Sequence, residues 1–414
     1  MKEILSKQLE IIKPSVEEKK EINQIGLNFA KDLKEKLKKR KIKAEVFIGG
    51  SLAKGTLIKK DNYDIDMFVR FKNEKDILKL KGLLRNAKIV HGSRDYYHFN
   101  INGVLIEVVP VLKIKKPEQA QNVTDLSYFH VNYVLKKIKK DKKIIEGIML
   151  AKSFCRAQNC YGAESYVNGF SGYALELLIC HYGSFENFLK QVVKARGEKI
   201  IIDDVGFYKG KNILIELNES KINSPIVLID PTFRERNACA GLNQETFEKF
   251  KKACEEFLKK PCSQFFIIKN IKEELKNKYK KELKIIEVKT TKQTGDIAGT
   301  KSKKFFGFFR RELSKEFDIR IIEFNYNERE NIAEFYLIVG KKKDEIIRGP
   351  PLSALQNLKY FKKAHSNAII KGKYVYATIK HNLSFKDFFK KFKEKDKKII
   401  REMSVKEMKL IIST

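Results

Sequence analysis

The sequence predicts an α+β multidomain protein, with a small α/β head, a mainly helical central domain and an α/β C-terminal domain with a tail. Three observations lead there. A helical stretch passes into a β-branched strand, a Gly-Gly-Ser turn and two further strands before residue 113. From 131 to about 260 the apolar residues recur at helical spacing. Beyond 261 strand and helix patterns alternate again while basic residues accumulate. The expected domains are 1–126, 127–262 and 263–414.

Residues 1–40 read as helical, with Ile22, Ile25, Phe29, Leu33 and Leu37 at spacings of three and four. Strands are expected at 44–48, 64–71 and 105–112. Helices follow at 144–159, 172–182, 185–195 and 244–258, with a strand-like interruption at 227–230. In the last domain, 285–288 and 335–339 read as strands and 303–317 as a helix.

The 414 residues carry 86 Lys+Arg against 52 Asp+Glu, a formal charge of +34. Such an excess suits a polyanionic partner, because neutralised phosphates release counterions. It is also what a Lys-biased composition would produce. The excess is uneven: 37 basic and 19 acidic residues from Pro261 on, and 16 against 5 from Pro351 on. The Lys-rich runs at 136–143 and 390–398 read as solvated faces more readily than as RNA grips. Six cysteines stand at no metal-ligand spacing and suit reduced thiols of a cytoplasmic protein. No signal-peptide core is seen and no apolar run reaches the roughly 20 residues of a membrane span. A soluble chain is expected, without a membrane partner.

The chemistry concentrates in Gly49-Gly50-Ser51-Leu52-Ala53-Lys54-Gly55-Thr56, followed by Asp64-Ile65-Asp66-Met67-Phe68-Val69. Two carboxylates two apart on a strand share one face, while Ile65 and Met67 take the other. Their mutual repulsion is relieved by a divalent cation, and Mg²⁺ prefers carboxylate, water and phosphate oxygens. A Gly-Ser turn ahead of a helix offers backbone N–H groups and a hydroxyl to phosphate. Glu107 stands alone in an apolar strand, where an acid is costly to bury unless paired or metal-bound, and is the expected third ligand. Alone, an Asp-x-Asp or a Gly-Gly-Ser is usually structural. Together at this spacing they describe two-metal nucleotidyl transfer.

This arrangement resembles the polymerase-β-like nucleotidyltransferase superfamily, whose head motif does not distinguish poly(A) polymerases, oligoadenylate synthetases, CCA-adding enzymes and antibiotic-modifying enzymes. The rest of the chain does. It reads Tyr128-Phe129-His130, Ala151-Lys152-Ser153-Phe154, Cys160-Tyr161-Gly162-Ala163-Glu164, Gly169-Phe170-Ser171-Gly172-Tyr173 and Tyr182-Gly183-Ser184-Phe185. Ile229-Asp230-Pro231 and Arg236-Asn237-Ala238 follow. In order and spacing these resemble the class I, archaeal CCA-adding enzymes, closely to about residue 265 and loosely beyond. The resemblance implies two Mg²⁺ ions on Asp64, Asp66 and Glu107. It implies CTP and ATP contacts from Ser51 and Lys54 in the head, and from His130, Lys152 and Tyr161 beyond it. Arg236 is implied in a base-selective pocket formed together with the RNA. The implied acceptor is the tRNA 3′ end, with the acceptor stem and TΨC arm held by an RNA-recognition-like C-terminal domain, and a homodimer is hinted at. Tyr360, Phe361, Tyr374 and Tyr376 are open to base stacking, with core packing the commoner use. Two positions depart from the family pattern: Lys54 stands where Arg is frequent and Glu107 where Asp is usual. Lys keeps the charge but loses the planar fork.

Overall fold

The computed structural model describes residues 1–91, 94–291, 293–328 and 330–412. The chain divides into two compact units, Met1–Ile268 and Lys269–Thr414.

The first unit opens with α1 (Lys2–Ile12) and α2 (Val16–Lys39) rather than one continuous helix. Pro14 lies in the break, since proline lacks the N–H an interior turn needs. Ser15 then caps α2, accepting from the Glu18 amide while the Glu18 carboxylate accepts from the Ser15 amide. β1 (Ala44–Ile48), the single turn α3 (Gly50–Lys54) and β2 (Asp64–Phe71) follow. Next come α4 (Glu74–Leu83), β3 (Lys88–His91), β4 (Asp95–Ile101) and β5 (Val104–Leu112). The five strands form one sheet in the order β1-β2-β5-β4-β3. Its β2–β5 pairing is parallel and the others are antiparallel. Neither β3 nor β4 was expected, because their short, partly exposed runs are interspersed with His, Asn and Asp and lack an apolar alternation.

Apolar residues of α2 and α4 cover one face of this sheet. Ile22, Leu33, Leu37 and Leu80 pack with Ile65, Met67, Val69, Ile106 and Val108. The opposite face is left for the carboxylates.

The helices beyond the sheet are α5 (Ser127–Lys140), α6 (Lys143–Ala157), α7 (Gly172–Tyr182) and α8 (Phe185–Lys194). β6 (Ile200–Ile202), two four-residue helices α9 (Ile213–Glu216) and α10 (Glu219–Ile222), β7 (Ile226–Asp230), β8 (Phe233–Asn237) and α11 (Gln244–Lys259) complete this part. Ser171, Ser184 and Asn243 supply side-chain N-caps, which fix where α7, α8 and α11 begin. Phe154 of α6 lies at the centre, in edge contact with Phe185, Phe250, Phe257 and Phe266. Small β7 pairs with β6 in parallel and with β8 antiparallel.

The second unit runs α12 (Ile271–Tyr279), β9 (Lys284–Thr290), α13 (Gly295–Glu316), β10 (Phe317–Asn327), β11 (Ile332–Lys341), β12 (Glu345–Pro351), α14 (Leu355–Ala364), β13 (Ile369–Lys371), β14 (Tyr374–Ile379), α15 (Phe385–Lys395), α16 (Lys397–Glu402) and β15 (Val405–Ile412). Its main sheet is antiparallel in the order β10-β11-β9-β15. A phenylalanine-rich core from α13 and α15 covers one face, and α12 packs on Leu283, Ile285, Tyr336 and Ile338 of the other. A second sheet has the order β12-β14-β13. Helix α13 starts eight residues before the expected 303, because its first turns bury Ala298, Gly299 and Ser302, small residues that give no apolar period. It passes into β10 with no Gly or Pro between, so the strand had no boundary signal. Among the described residues no helix is long and apolar enough to cross a membrane. All six cysteines are free.

Candidate active site

Asp64 and Asp66 project from one face of β2, with Ile65 and Met67 fully buried on the other. Parallel pairing sets Glu107 of β5 directly across from Asp66. Burial, and then the nearby charge of Glu107, push the Asp66 carboxyl above its usual range, against the pull of Lys54, Lys60 and Lys152. Lys60 pairs with Asp64, and Nε2 of His98 lies 2.7 Å from a Glu107 oxygen. The Lys60 ammonium is itself lowered to about 8, by burial first and then by the charge of Arg156. Among the described residues no three His, Cys, Asp or Glu side chains converge as a ligand set. The donor chemistry nevertheless fits a hard divalent cation. It offers oxygen ligands only, and two of the acids repel each other across adjacent strands.

The Gly49–Gly50 turn is shaped by this face. Gly49 donates its amide to the Asp66 carbonyl at 2.8 Å. Gly50 has φ +60°, and a Cβ there would lie on the Asp66 carboxylate. A side chain at Gly49 would enter the Phe68 ring. Ser51 sits half-buried inside α3, not in a turn ahead of a longer helix.

Lys54 and Lys152 do not stand free in the site. Lys54 Nζ donates to Glu176 Oε2 at 2.6 Å, and Lys152 Nζ donates to Glu176 Oε1 at 2.9 Å and to Thr56 Oγ1 at 3.0 Å. Glu176, on α7, is only 1% exposed. Burial opposes its ionisation, but the charges of Lys152 and Lys54 and their hydrogen bonds outweigh it and hold its pKa below the usual range. Tyr161 lies beside the same helix, close enough that a Cβ at Gly172 would come within 2.9 Å of its hydroxyl.

A second buried carboxylate gathers the remaining candidates. Asp230, fully buried at the end of β7, accepts from Arg236 at 2.6 Å, from Tyr173 Oη at 3.0 Å, and from the Thr232 amide and hydroxyl at 2.8 Å each. His130 Nε2 is 3.0 Å from it, and its ring stacks on Tyr173 with centroids 4.1 Å apart. The Arg236 guanidinium lies 5.4 Å from the Tyr173 centroid. Burial lowers the pKa of His130 despite Asp230, favouring the neutral ring. Asp230 is held well below its usual range, where the His130 and Arg236 interactions outweigh its burial.

Glu176, Asp230 and Lys60 were given no role by the sequence reasoning. The signal that singled out Glu107, one acid in an apolar run, is present for Glu176 in Ala174-Leu175-Glu176-Leu177-Leu178 and for Asp230 after Ile226-Val227-Leu228-Ile229. Asp125, also unassigned, serves structure: it pairs with Arg94 and accepts from the amides of Leu112, Gln121 and Asn122 at 2.7, 3.1 and 3.1 Å.

Comparison with known proteins agrees with this layout. Residues 28–151 match the nucleotidyltransferase domain, and residues 146–267 match the second domain of tRNA nucleotidyltransferases. A protein of Nanoarchaeum equitans described as a CCA-adding enzyme is 40% identical over 215 residues, 49% of this chain and 52% of that protein. The chain thus spans about half the length of that relative. A CCA-adding enzyme of Methanocaldococcus jannaschii is 27% identical over 392 residues, 90% of this chain and 86% of its own. Among solved structures, the Cid1 poly(U) polymerase bound to MgATP shares the fold at a TM-score of 0.51 and 14% identity, covering 64% of this chain and 97% of its own. The head with its paired aspartates and the helical region behind it thus match the two domains of a tRNA nucleotidyltransferase, and the relatives this chain is similar to are archaeal CCA-adding enzymes.

Proposed function

We propose that this protein adds CMP, CMP and AMP, from CTP and ATP, to the 3′ end of tRNA without a nucleic-acid template. The observation that carries the reading is the register of β2 and β5, which puts Asp66 opposite Glu107 on the sheet face that also bears Asp64. The names of the relatives supply the product. The 3′-hydroxyl of the RNA attacks the α-phosphorus of the nucleotide, a P–O bond forms, and the bond to the β-phosphate breaks to release pyrophosphate. Asp64, Asp66 and Glu107 would hold two Mg²⁺ ions, which assist loss of the hydroxyl proton and offset the charge of the triphosphate and the leaving pyrophosphate.

The chain's own groups orient the reactants. Ser51 and the Gly49–Gly50 turn approach the phosphates from the head. Lys54 and Lys152, tied to one carboxylate, supply a shared positive charge rather than two free ammonium groups. Tyr161 borders that charge. His130 and Arg236, set by Asp230, bound the base, with the RNA end completing the pocket so that each addition reshapes it. The basic C-terminal unit holds the acceptor stem and TΨC arm through phosphate and 2′-hydroxyl contacts in the cytoplasm.

Extension of a tRNA transcript lacking its terminal CCA tests the reading, with Mg²⁺ and CTP, ATP or both, beside an Asp66→Ala control. Two additions with CTP and a third only when ATP joins are expected. Untemplated A- or U-tailing would keep the fold and reject the product. No Mg²⁺-dependent incorporation by folded, tRNA-binding protein would reject the enzyme.

A further inference from the structure

We infer that Arg156 is a further nucleotide-binding residue, whose guanidinium takes the triphosphate; this rests on the nucleotidyl-transfer reading of the site. The site's other positive charges each meet a carboxylate. Lys54 and Lys152 are bound to Glu176, Lys60 to Asp64, and Arg236 to Asp230. Arg156 belongs to the same neighbourhood but makes no ion pair with any carboxylate among the described residues. It lies on α6 four residues after Lys152, one turn further along the same helix face.

Its surroundings aim it at the carboxylate face. The guanidinium carbon lies 4.7 Å from the centroid of the Tyr161 ring. Its charge acts on Lys60, which pairs with Asp64, and on Tyr161, which in turn feels Asp66 and Glu176. The Nε is buried and has no hydrogen-bond partner among the described residues. A buried N–H without an acceptor is rare in folded proteins and marks a place where an acceptor is missing. An anionic acceptor suits it best, since the guanidinium is always charged and a charge-assisted bond is the strongest it can make there. It must also present several oxygens to a planar fork, which phosphate does. Nearness to Lys60 and Tyr161 favours the nucleotide's triphosphate over an RNA backbone phosphate.

This assignment gives the Lys54 substitution a physical account. Lys54, buried against Glu176, offers no fork to phosphate. Arg156 supplies the planar, always-charged group that Lys54 lacks.

The test compares the full-length protein with Arg156→Met and Arg156→Gln, in Mg²⁺, by calorimetric binding of tripolyphosphate, CTP, ATP and CMP. Thermal unfolding verifies folding, and Arg156→Gln carries the comparison if the Met variant does not fold. Loss of charge-assisted bonds should weaken tripolyphosphate, CTP and ATP by one common factor of about tenfold or more, with CMP unchanged. Arg156→Lys should recover part of the loss. Unchanged tripolyphosphate affinity in both variants overturns the proposal, as does a loss confined to tRNA binding, which would assign Arg156 to the RNA backbone. Wild-type protein that neither binds CTP nor extends tRNA would instead reject the nucleotidyl-transfer reading itself.

Discussion

Glu107 sits directly across from Asp66 in the parallel pairing of β2 and β5, and its charge is the second cause, after burial, of the raised pKa of Asp66. Nε2 of His98 lies 2.7 Å from the Glu107 carboxylate. Glu107→Ala should therefore cost more than the roughly 10- to 100-fold typical of outer-shell changes at metal sites. Glu107→Asp should keep activity while weakening the hold of His98. Single-turnover rates against Mg²⁺ concentration, for both variants and for His98→Ala, check this. Equal rates for Glu107→Ala and wild type would remove Glu107 from the proposed metal site.

Gly50 should be intolerant of any side chain, for two reasons that add. Its φ of +60° costs an L-residue about 1–2 kcal/mol. Its Cβ would also displace the Asp66 carboxylate. Gly50→Ala should thus lower thermal stability and shift the Mg²⁺ dependence of extension to higher concentrations. Gly55→Ala serves as the control, since it shares a positive φ but would meet nothing within 4 Å. A Gly55 variant as damaged in Mg²⁺ response as the Gly50 variant would show that backbone strain alone explains the effect.

Glu176 pairs with two buried lysines at once, so Glu176→Gln removes the carboxylate that both share. Breaking a buried pair in this way costs about 3–5 kcal/mol. The sign of its pH dependence is set by the lowered pKa of Glu176. Its stabilisation is fully present above the unfolded value near 4.3 and is lost as pH falls through the lower folded value. Wild-type melting should accordingly drop on acidification below about pH 4.3, and the Gln variant should start lower and drop less. Melting curves from pH 7 to pH 3 decide it; parallel acid losses in the two proteins would deny Glu176 this role.

Much of the head was legible because its signals are local. Asp64 and Asp66 alternate with residues of the opposite face along one strand, and the glycines beside Ser51 mark a turn on any reading. The second site layer was not legible in the same way. Lys54 and Lys152 read as nucleotide contacts through the family resemblance, while nothing in the sequence marks the carboxylate that both meet. Glu176 lies 122 residues from Lys54 and meets it only through the packing of α3, α6 and α7. In the second unit, β10 and β15 escaped for a different reason. Partly exposed strands that follow helices without Gly or Pro lack both the apolar run and the punctuation that mark a boundary.

Asp230 should govern base choice through Arg236 and His130, two of the residues it holds. It is fully buried and binds Arg236 at 2.6 Å, Tyr173 at 3.0 Å and both donors of Thr232, with His130 also at 3.0 Å. Asp230→Asn keeps the shape of the side chain but removes the charge that fixes the guanidinium, and its amide group presents donors toward Arg236. Arg236 is then free to rotate away from the Tyr173 ring. Since a few hydrogen bonds separate one base from another, each worth about 0.5–1.5 kcal/mol net, discrimination of CTP from UTP should fall by about tenfold. Binding of tripolyphosphate should hold, because the groups proposed to meet the triphosphate do not contact Asp230. Competition of CTP against UTP on a tRNA lacking its last two residues, where C is the next addition, measures the ratio, and Arg236→Ala should lower it similarly without adding to the Asp230 effect in the double variant. Additive losses, or a uniform drop in rate with the ratio intact, would leave Asp230 a structural anchor of β7 and place base selection elsewhere.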